Sequence, residues 1–582
     1  MANYWDKVLN RRLTRRRAVS ATGTTAAAAA FLVACGGGDD DQAPADTGSS
    51  SSGGGTTPSG GTSPSASGPT QGGHLVWQGY GDPGGGLELI KARNAGVNQM
   101  ASLTHEGLLD FAYGIPDYPG IGNDVLPALA VALPEISPDK LSATFKLVDG
   151  ATFHDGKPVT AEDFKWTYDT LAFAEESANQ TDYGWLDSVE APDAGTLVIH
   201  MKGVNADIIQ TLADKNKAGV LHREHHESGA AENSFLGSGP YEFVEYSPPT
   251  VMKYKRNESY WNLANAGWFD TIDRLGTSDS EKKVADIISG QVHVTYWFPA
   301  EERERIKEAR DDLLVFQYPR AGSGQVYIRN DVAPFSDKRV RHAMSMGYDR
   351  QILIDTVTEG EGQADQQLSR SGTAWGFRGP EDLPRADLYE LNVAEAMKLM
   401  SAANIELPLK TDLPTWNSTV IGQKFVDEIT LIATQWRSNG LLDVTLLEET
   451  FGQFGPRLTG QYDSLQWGPN TQATRPTLGQ DIYDKYYAGG VTPQAPTLNL
   501  TFLNNPEVDI LLEKQLVEFD VEARTAAFRE LEDVLVEVMA HTSGVTGQLA
   551  WFIDPVVKNA QMPRDAYNGS TAWMKYWYFG DA

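Results

Sequence analysis

The sequence predicts an α/β fold of two or more lobes, and three observations carry that expectation. A chain of 582 residues is longer than one compact core organises. Apolar and polar residues alternate over Ala143–Val148, the period of a half-buried strand. Thr160, followed by Glu162 and Asp163, reads as an N-cap with acids in the first turn of a helix running through Leu171. Strand and helix signals then alternate to the C-terminus. Hydrophobic residues make up 41% of the chain, enough for large cores.

The folded part is expected to open at His74-Leu75-Val76-Trp77, a short apolar strand. Gly81-Asp82-Pro83-Gly84-Gly85-Gly86 breaks the chain after it, and a helix is expected over Val97 to Leu109. Before His74, residues 36–73 are almost entirely Gly, Ser, Thr, Pro, Ala and Asp. With no apolar periodicity that stretch reads as a disordered linker. As a flexible coil it spans on the order of 30–35 Å, the reach of a tether.

The N-terminus reads as an export signal over residues 1–34. Lys7, Arg11, Arg12, Arg15, Arg16 and Arg17 precede an apolar run of about nine residues, far short of the roughly 20 needed to span a bilayer. Leu32-Val33-Ala34-Cys35 resembles the lipobox of bacterial lipoproteins, in which the cysteine is acylated and becomes the new N-terminus. Thr14-Arg15-Arg16-Arg17-Ala18-Val19 resembles a twin-arginine signal, with Ala18 where that motif usually carries Phe, so the ordinary secretory route stays open. Cys35 is the single cysteine, which excludes intramolecular disulfides. The formal charge is −30, and the basic signal leaves the remainder more acidic still. Such a surface repels phosphate backbones, which excludes nucleic acid as a partner, and any membrane attachment has to come from the lipid.

Four segments resemble the family 5 extracellular solute-binding proteins, the oligopeptide, dipeptide and nickel receptors of ABC importers. The first runs from Ala143 to Asp163 and contains the Phe153-His154-Asp155-Gly156 turn and Thr160-Ala161-Glu162-Asp163. The second is Gly237-Ser238-Gly239-Pro240-Tyr241 with Arg256-Asn257-Glu258-Ser259-Tyr260-Trp261. The third is Ala333-Pro334-Phe335-Ser336-Asp337-Lys338-Arg339-Val340-Arg341, closed by Asp349-Arg350. The fourth is Tyr462-Asp463 before Trp467-Gly468. Most of these residues have scaffold roles by their chemistry: turn glycines, helix caps at Thr160 and Ser336, and salt-bridged or snorkelling arginines at 339 and 341.

The resemblance implies a two-lobed periplasmic-binding-protein-like fold with a hinge. Lobe I is expected over residues 74–318 plus 546–582, with a subdomain near 110–185, and lobe II over 319–545. It implies a monomeric, extracytoplasmic receptor, tethered by lipid on the periplasmic side or cell surface, that passes a peptide or similar small polar solute to the permease subunits of an ABC transporter. No catalysis, cofactor or metal is expected. Tyr296 and Trp297 are the first ligand-binding candidates, at the end of a strand that reaches the cleft in this family, where their rings can stack on a solute; core packing is the competing role. Gln325, Tyr327 and Arg329 follow as alternate residues on one strand face, Arg329 offering a charge for a carboxylate or forming a surface salt bridge. Trp375, Arg457, Trp467 and Asn470 complete the set.

One departure bears on the ligand. Peptide receptors of this family tend to place an acid after the Trp-Gly segment to hold the peptide amino group, yet Pro469 to Gln480 contains none, and Arg475 is its one charge. Oligosaccharide, opine-like or metal-chelate ligands therefore stay open, as does a sensory or adhesive role. A secreted hydrolase is disfavoured, because the chain has no Gly-x-Ser-x-Gly elbow and no His-Glu-x-x-His. His222-Arg223-Glu224-His225-His226-Glu227 has imidazoles at metal-ligand spacing but reads as a solvated surface helix.

Overall fold

The computed structural model of the protein describes residues 69–580 other than 80–85, 92–94, 113–124, 215–218, 249–250, 278, 297–298, 320–321, 370–374, 418–422, 451–452, 454–456, 458–460, 470–477, 489–498 and 561–571. The expected signal, Cys35 and most of the linker lie outside the described residues, as do Trp297 and Asn470. The body begins slightly before His74, because the Gly72 amide already donates to the Trp268 carbonyl at 2.8 Å.

The first half is built on a seven-stranded sheet with His74–Gly79 near its centre. That strand is parallel to Thr271–Gly276 on one side and to Val294–Tyr296 on the other. Beyond Thr271–Gly276 come Val251–Arg256 and Tyr241–Ser247; beyond Val294–Tyr296 come Gln548–Ile553 and Leu314–Pro319. Leu75 and Trp77 point into a core with Ile272, Val294 and Trp551, as strand alternation demands. The helix expected over Val97 to Leu109 is shorter, Ala95–Ala101, and Leu109–Phe111 is already a strand.

A separate four-stranded sheet joins Glu135–Ile136, Ser142–Lys146, Thr196–Met201 and Leu186–Asp193, so it runs past residue 185. The helix Ala161–Phe173 packs beside it and starts as expected, with Thr160 and Asp163 forming a capping box. The first two family-like segments dock on each other. The His154 amide donates to the Gly237 carbonyl at 2.8 Å, and its Nε2 meets the Gly239 carbonyl at 3.0 Å. Gly237 and Gly239 lie so close to the Leu103–Thr104 backbone that a Cβ at either would collide with it. Tyr260 and Trp261 both donate to the buried Glu106 carboxylate, at 2.6 and 2.9 Å. Lys575, from the chain's far end, pairs with both Glu106 and Asp110, at 3.3 and 2.8 Å.

The second half centres on a three-stranded sheet, Leu465–Pro469, Gly324–Ile328 and His541–Ser543, all pairs antiparallel. Leu409–Trp416 and Leu442–Glu449 form a parallel pair, and the helix Gln423–Ser438 buries Ile429, Ile432 and Trp436 against Val326, Met344 and Trp467. Arg339 makes the expected exposed ion pair with Asp337. Arg341 does not: it is buried and donates to the carbonyls of Phe335, Ser336, Val538 and Met539, satisfying the last turn of the helix Val521–Val538. The cap of that segment is Asp337 rather than Ser336.

The chain passes from the first sheet to the second between Pro319 and Gly324 and returns between Ser543 and Gln548. These crossings run side by side, the Gly544 amide donating to the Gly324 carbonyl at 2.9 Å.

Breaking a buried charge cluster by removing one member leaves the others uncompensated. Lys575→Met is accordingly expected to lower unfolding free energy by about 3–5 kcal/mol in urea titrations, whereas an unchanged midpoint would show Glu106 and Asp110 to be held by other means.

Candidate functional site

Parallel strands of an α/β sheet present their carboxyl ends as a natural ligand edge. Here those ends bring together Arg274 and Tyr296, with Gln99 and Lys283 added by the flanking helices, while Gln78 turns to the other face and donates to Asp286 at 2.6 Å. Tyr296 is 3% exposed and stacks on Trp551, ring centroids 4.1 Å apart at 13°. Its hydroxyl accepts from Gln99 at 3.3 Å, and the Lys283 ammonium lies 5.5 Å over the ring. Tyr296 is therefore a core residue whose ring faces are taken, not an open stacking platform. Burial, and then the nearby Arg274 charge, push the Lys283 ammonium down to about 8.

In the second half the expected alternation holds for two of three residues. Gln325 and Tyr327 share a face with their cross-strand neighbours Gln466 and His541, while Val326 and Trp467 face the opposite core. Arg329 lies past the strand end. Its guanidinium takes Asp331 through two bonds of 2.7 and 2.6 Å and the Tyr462 carbonyl at 3.0 Å, so its charge is committed to the surface pair. Arg457 is committed in the same way, to Glu449 at 2.7 and 2.6 Å.

Two further candidates are packing residues. Trp467 is fully buried, donates to the Phe425 carbonyl at 3.1 Å, and fills the space that a side chain at Gly324 would need. Trp375 packs 5.0 Å from Phe528 under the Arg524 guanidinium. Neither presents a ring to a cleft.

The polar face of the three-stranded sheet is the strongest candidate site. Lys485, on the helix Leu478–Tyr486, donates to Gln325 at 2.8 Å, and burial holds its ammonium well below the usual lysine range. Burial and then the Lys485 charge keep His541 far below the usual imidazole range, so it is neutral; its Nδ1 sits 3.3 Å from the Tyr486 hydroxyl. Asp365 anchors the layer, accepting from Ser323 and Ser369 at 2.8 Å each. Gln325 Nε2, both amide atoms of Gln466 and His541 Nε2 are buried and have no hydrogen-bond partner among the described residues. Buried polar atoms of this kind are normally satisfied. The face thus offers amide donors, an amide acceptor and a neutral imidazole, the equipment for holding a polar solute by hydrogen bonds. Gln466 was legible in principle, since a residue next to a core-facing Trp467 on a strand must face the other way. Lys485 and His541 carry no such signal.

At the crossings lies a small cavity of about 130 Å³, lined by Arg303, Gly322, Glu359, Lys424, Glu428 and Gly547 among others. It is below the size of ordinary ligand pockets, roughly 300 Å³ and upward. Arg303 pairs with Glu361, Lys424 with Glu359 at 2.9 Å, and the Ala300 amide donates to Glu359 at 2.8 Å. Glu428 is buried, accepts from the Val545 amide at 2.6 Å, and occupies the space a Cβ at Gly324 or Gly544 would need.

The histidine-rich segment is not a solvated helix throughout. Arg223 and Glu227 are exposed, but the His222 side chain is buried 3.2 Å from Asp155, and His226 is buried 2.6 Å from Glu88. The two imidazoles serve different carboxylates, and no group of three or more metal-ligating side chains occurs among the described residues. No helix among them is long and apolar enough to cross a membrane.

Comparison with known proteins agrees with this architecture. The model for bacterial extracellular solute-binding proteins, family 5, matches residues 124–489. The periplasmic murein peptide-binding protein MppA of Escherichia coli is 23% identical over 424 residues, 68% of this chain and 75% of that one. The oligopeptide-binding protein AppA of Bacillus subtilis is 25% identical over 276 residues, 45% of this chain and 48% of that one. Among solved structures, AppA in complex with a nonapeptide superposes with a TM-score of 0.68 at 18% identity, covering 88% of this chain and all of that one. The binding protein AgaA of A. tumefaciens in complex with agropinic acid superposes at 0.70 and 19% identity, over 88% and 99% of the two chains. With a family match spanning well over half of its length and the two-lobed α/β architecture in place, this chain belongs to the family 5 bacterial extracellular solute-binding proteins.

Proposed function

We propose that this solute-binding protein is the receptor of an ABC importer, taking up a peptide or similar small polar solute between its lobes and delivering it to the permease. The observation that carries the reading is the pair of adjacent crossings, Pro319 to Gly324 and Ser543 to Gln548, between two sheets that each carry buried polar side chains. On this reading lobe I comprises residues 74–318 and 546–582, lobe II comprises 319–545, and ligand biases the lobes toward closure. The relatives named for murein peptide and oligopeptide binding support a peptide. An opine-like solute is a second reading. It is favoured by the lack of an acid from Pro469 to Gln480 and by the uncharged donors and acceptors of Gln325, Gln466 and His541.

The protein changes nothing in what it binds. Native mass spectrometry of the purified mature chain is expected to show one co-purifying solute, released intact on mild denaturation; a solute returned chemically altered would overturn the receptor reading.

The same reading separates contact from core. Gln466→Ala is expected to weaken binding of that co-purified solute by about 1–3 kcal/mol with a near-native melting temperature. Trp467→Ala is expected instead to cost about 3–5 kcal/mol of stability. Calorimetric titration and thermal unfolding of both variants check this, and native affinity in Gln466→Ala would remove the polar face from the site.

Cys35 is the anchor on this reading, with residues 36–68 as its tether. Cys35→Ala is expected to move the protein from the membrane fraction into the soluble extracytoplasmic fraction. Retention on membranes after a carbonate wash would refute the lipid anchor.

A further inference from the structure

Apart from the crossings and the ion pairs beside them, the two halves meet at a second, built contact. The segment Asn205–Ala213, which follows the four-stranded sheet, lies against the helices Leu478–Tyr486, Pro506–Leu516 and Val521–Val538 of the other half. Asp207 pairs with Arg524, and the two side chains are 1% and 3% exposed. Arg524 also donates to Gln515 Oε1 through Nε at 3.2 Å and Nη2 at 2.9 Å. Gln515 in turn donates to the Gly479 carbonyl at 3.1 Å. The backbones join as well, the Ala206 amide donating to the Leu516 carbonyl at 2.7 Å, and the Lys140 ammonium lies 4.9 Å over the Phe519 ring. Gly479 is part of the device, because a Cβ there would strike Arg524, Gln515 and Asp207 together. A glycine in the first turn of a helix is otherwise a poor choice.

We propose that Asp207 and Arg524 form a clasp that holds the lobes closed, so that this receptor populates a closed state before its solute arrives. The proposal rests on the two-lobe receptor reading and adds what sets its open–closed balance. Swinging the lobes apart about the crossings takes Arg524 off Asp207 and exposes both to water. Two charges desolvated together are mutually compensated; one alone is not. Removing either charge therefore penalises the closed state and leaves the open state untouched, which moves the equilibrium in one direction. The Arg524 guanidinium also lies 4.9 Å over Trp375, so the clasp end of this half is tied to its helical core and moves with it.

Pulsed electron spin resonance of the ligand-free mature chain tests this without knowledge of the solute. Cys35→Ala removes the one native thiol, and Asp187→Cys with Ile510→Cys places spin labels on exposed positions of the two halves. The intact clasp is expected to give one compact distance population. Asp207→Asn and, separately, Gly479→Ala are expected to shift the closed-to-open ratio by about tenfold or more toward a longer, broader population. Gly479→Ala leaves both charges present and favours its helix, so it reports on the clasp even where Asp207→Asn fails to fold. Unchanged distances in Gly479→Ala together with a lowered melting temperature in Asp207→Asn would reduce the pair to structural glue and overturn the proposal. Because no solute enters the measurement, failure of the receptor reading shows separately, as the absence of any bound solute by native mass spectrometry.

Discussion

Every covalent connection between the two halves passes the buried carboxylate of Glu428, and the local sequence is shaped around it. A carboxylate taken out of water needs partners, and Glu428 finds one in the Val545 amide at 2.6 Å. Gly324 and Gly544 are required beside it for space, since a side chain at either would collide with its oxygens. That differs from the usual account of small residues at a hinge. Backbone freedom is needed at Gly322, which has φ of 85°, whereas Gly324 and Gly544 serve close approach. Both crossings thus pack closely on one carboxylate, with a left-handed backbone at Gly322 beside it.

How much of this was legible depends on which rule each residue obeys. Strand alternation is a strong rule, and it put Gln325 and Tyr327 on one face and Val326 on the other. Arg329 escaped it because the strand ends at Ile328, leaving the side chain free to turn back on Asp331. The burial of Tyr296, Trp375 and Trp467 could not be read for a different reason. An aromatic residue names a large apolar area, but nothing in the sequence around it says whether that area is covered by protein or by ligand. All three are covered by protein: Trp551, Phe528 and the core beneath Gly324. The family-like segments fared better where their chemistry is local. The cap at Thr160 with acids in the first turn follows from spacing, whereas the clamp of His154 on the Gly237 and Gly239 carbonyls joins segments more than 80 residues apart and had no local signal. The buried Lys485 and His541 lie in no local pattern, since each acquires its role from an element far away in sequence.

The polar face shows why that remote pairing matters chemically. Lys485 and His541 are both wholly buried, and burial disfavours charge on each. Placing the ammonium beside the imidazole pushes the latter further toward neutrality, which leaves Nε2 suited to a neutral hydrogen bond. Asp365 offsets the Lys485 charge while itself held by two serine hydroxyls. A layer of amides and a neutral imidazole then lies beside Lys485, whose charge burial disfavours and Asp365 favours. Such a surface discriminates by hydrogen-bond geometry more than by net charge.

Binding and closure draw on different parts of the molecule, and their separation has a physical consequence. Near the crossings, Arg303 pairs with Glu361 and the Ala300 amide donates to Glu359, so the bonds between the halves there lie beside the axis. Asp207 and Arg524 sit on segments that the crossings do not include, and their pair exists only when the halves are together. The solute acts on the equilibrium through its own contacts with both lobes, and any ligand shifts a two-state balance only by its differential affinity. A receptor that already spends part of its time closed asks less of that differential affinity. On the proposed reading such a receptor can hold a modest polar solute through the amide and imidazole groups of Gln325, Gln466 and His541.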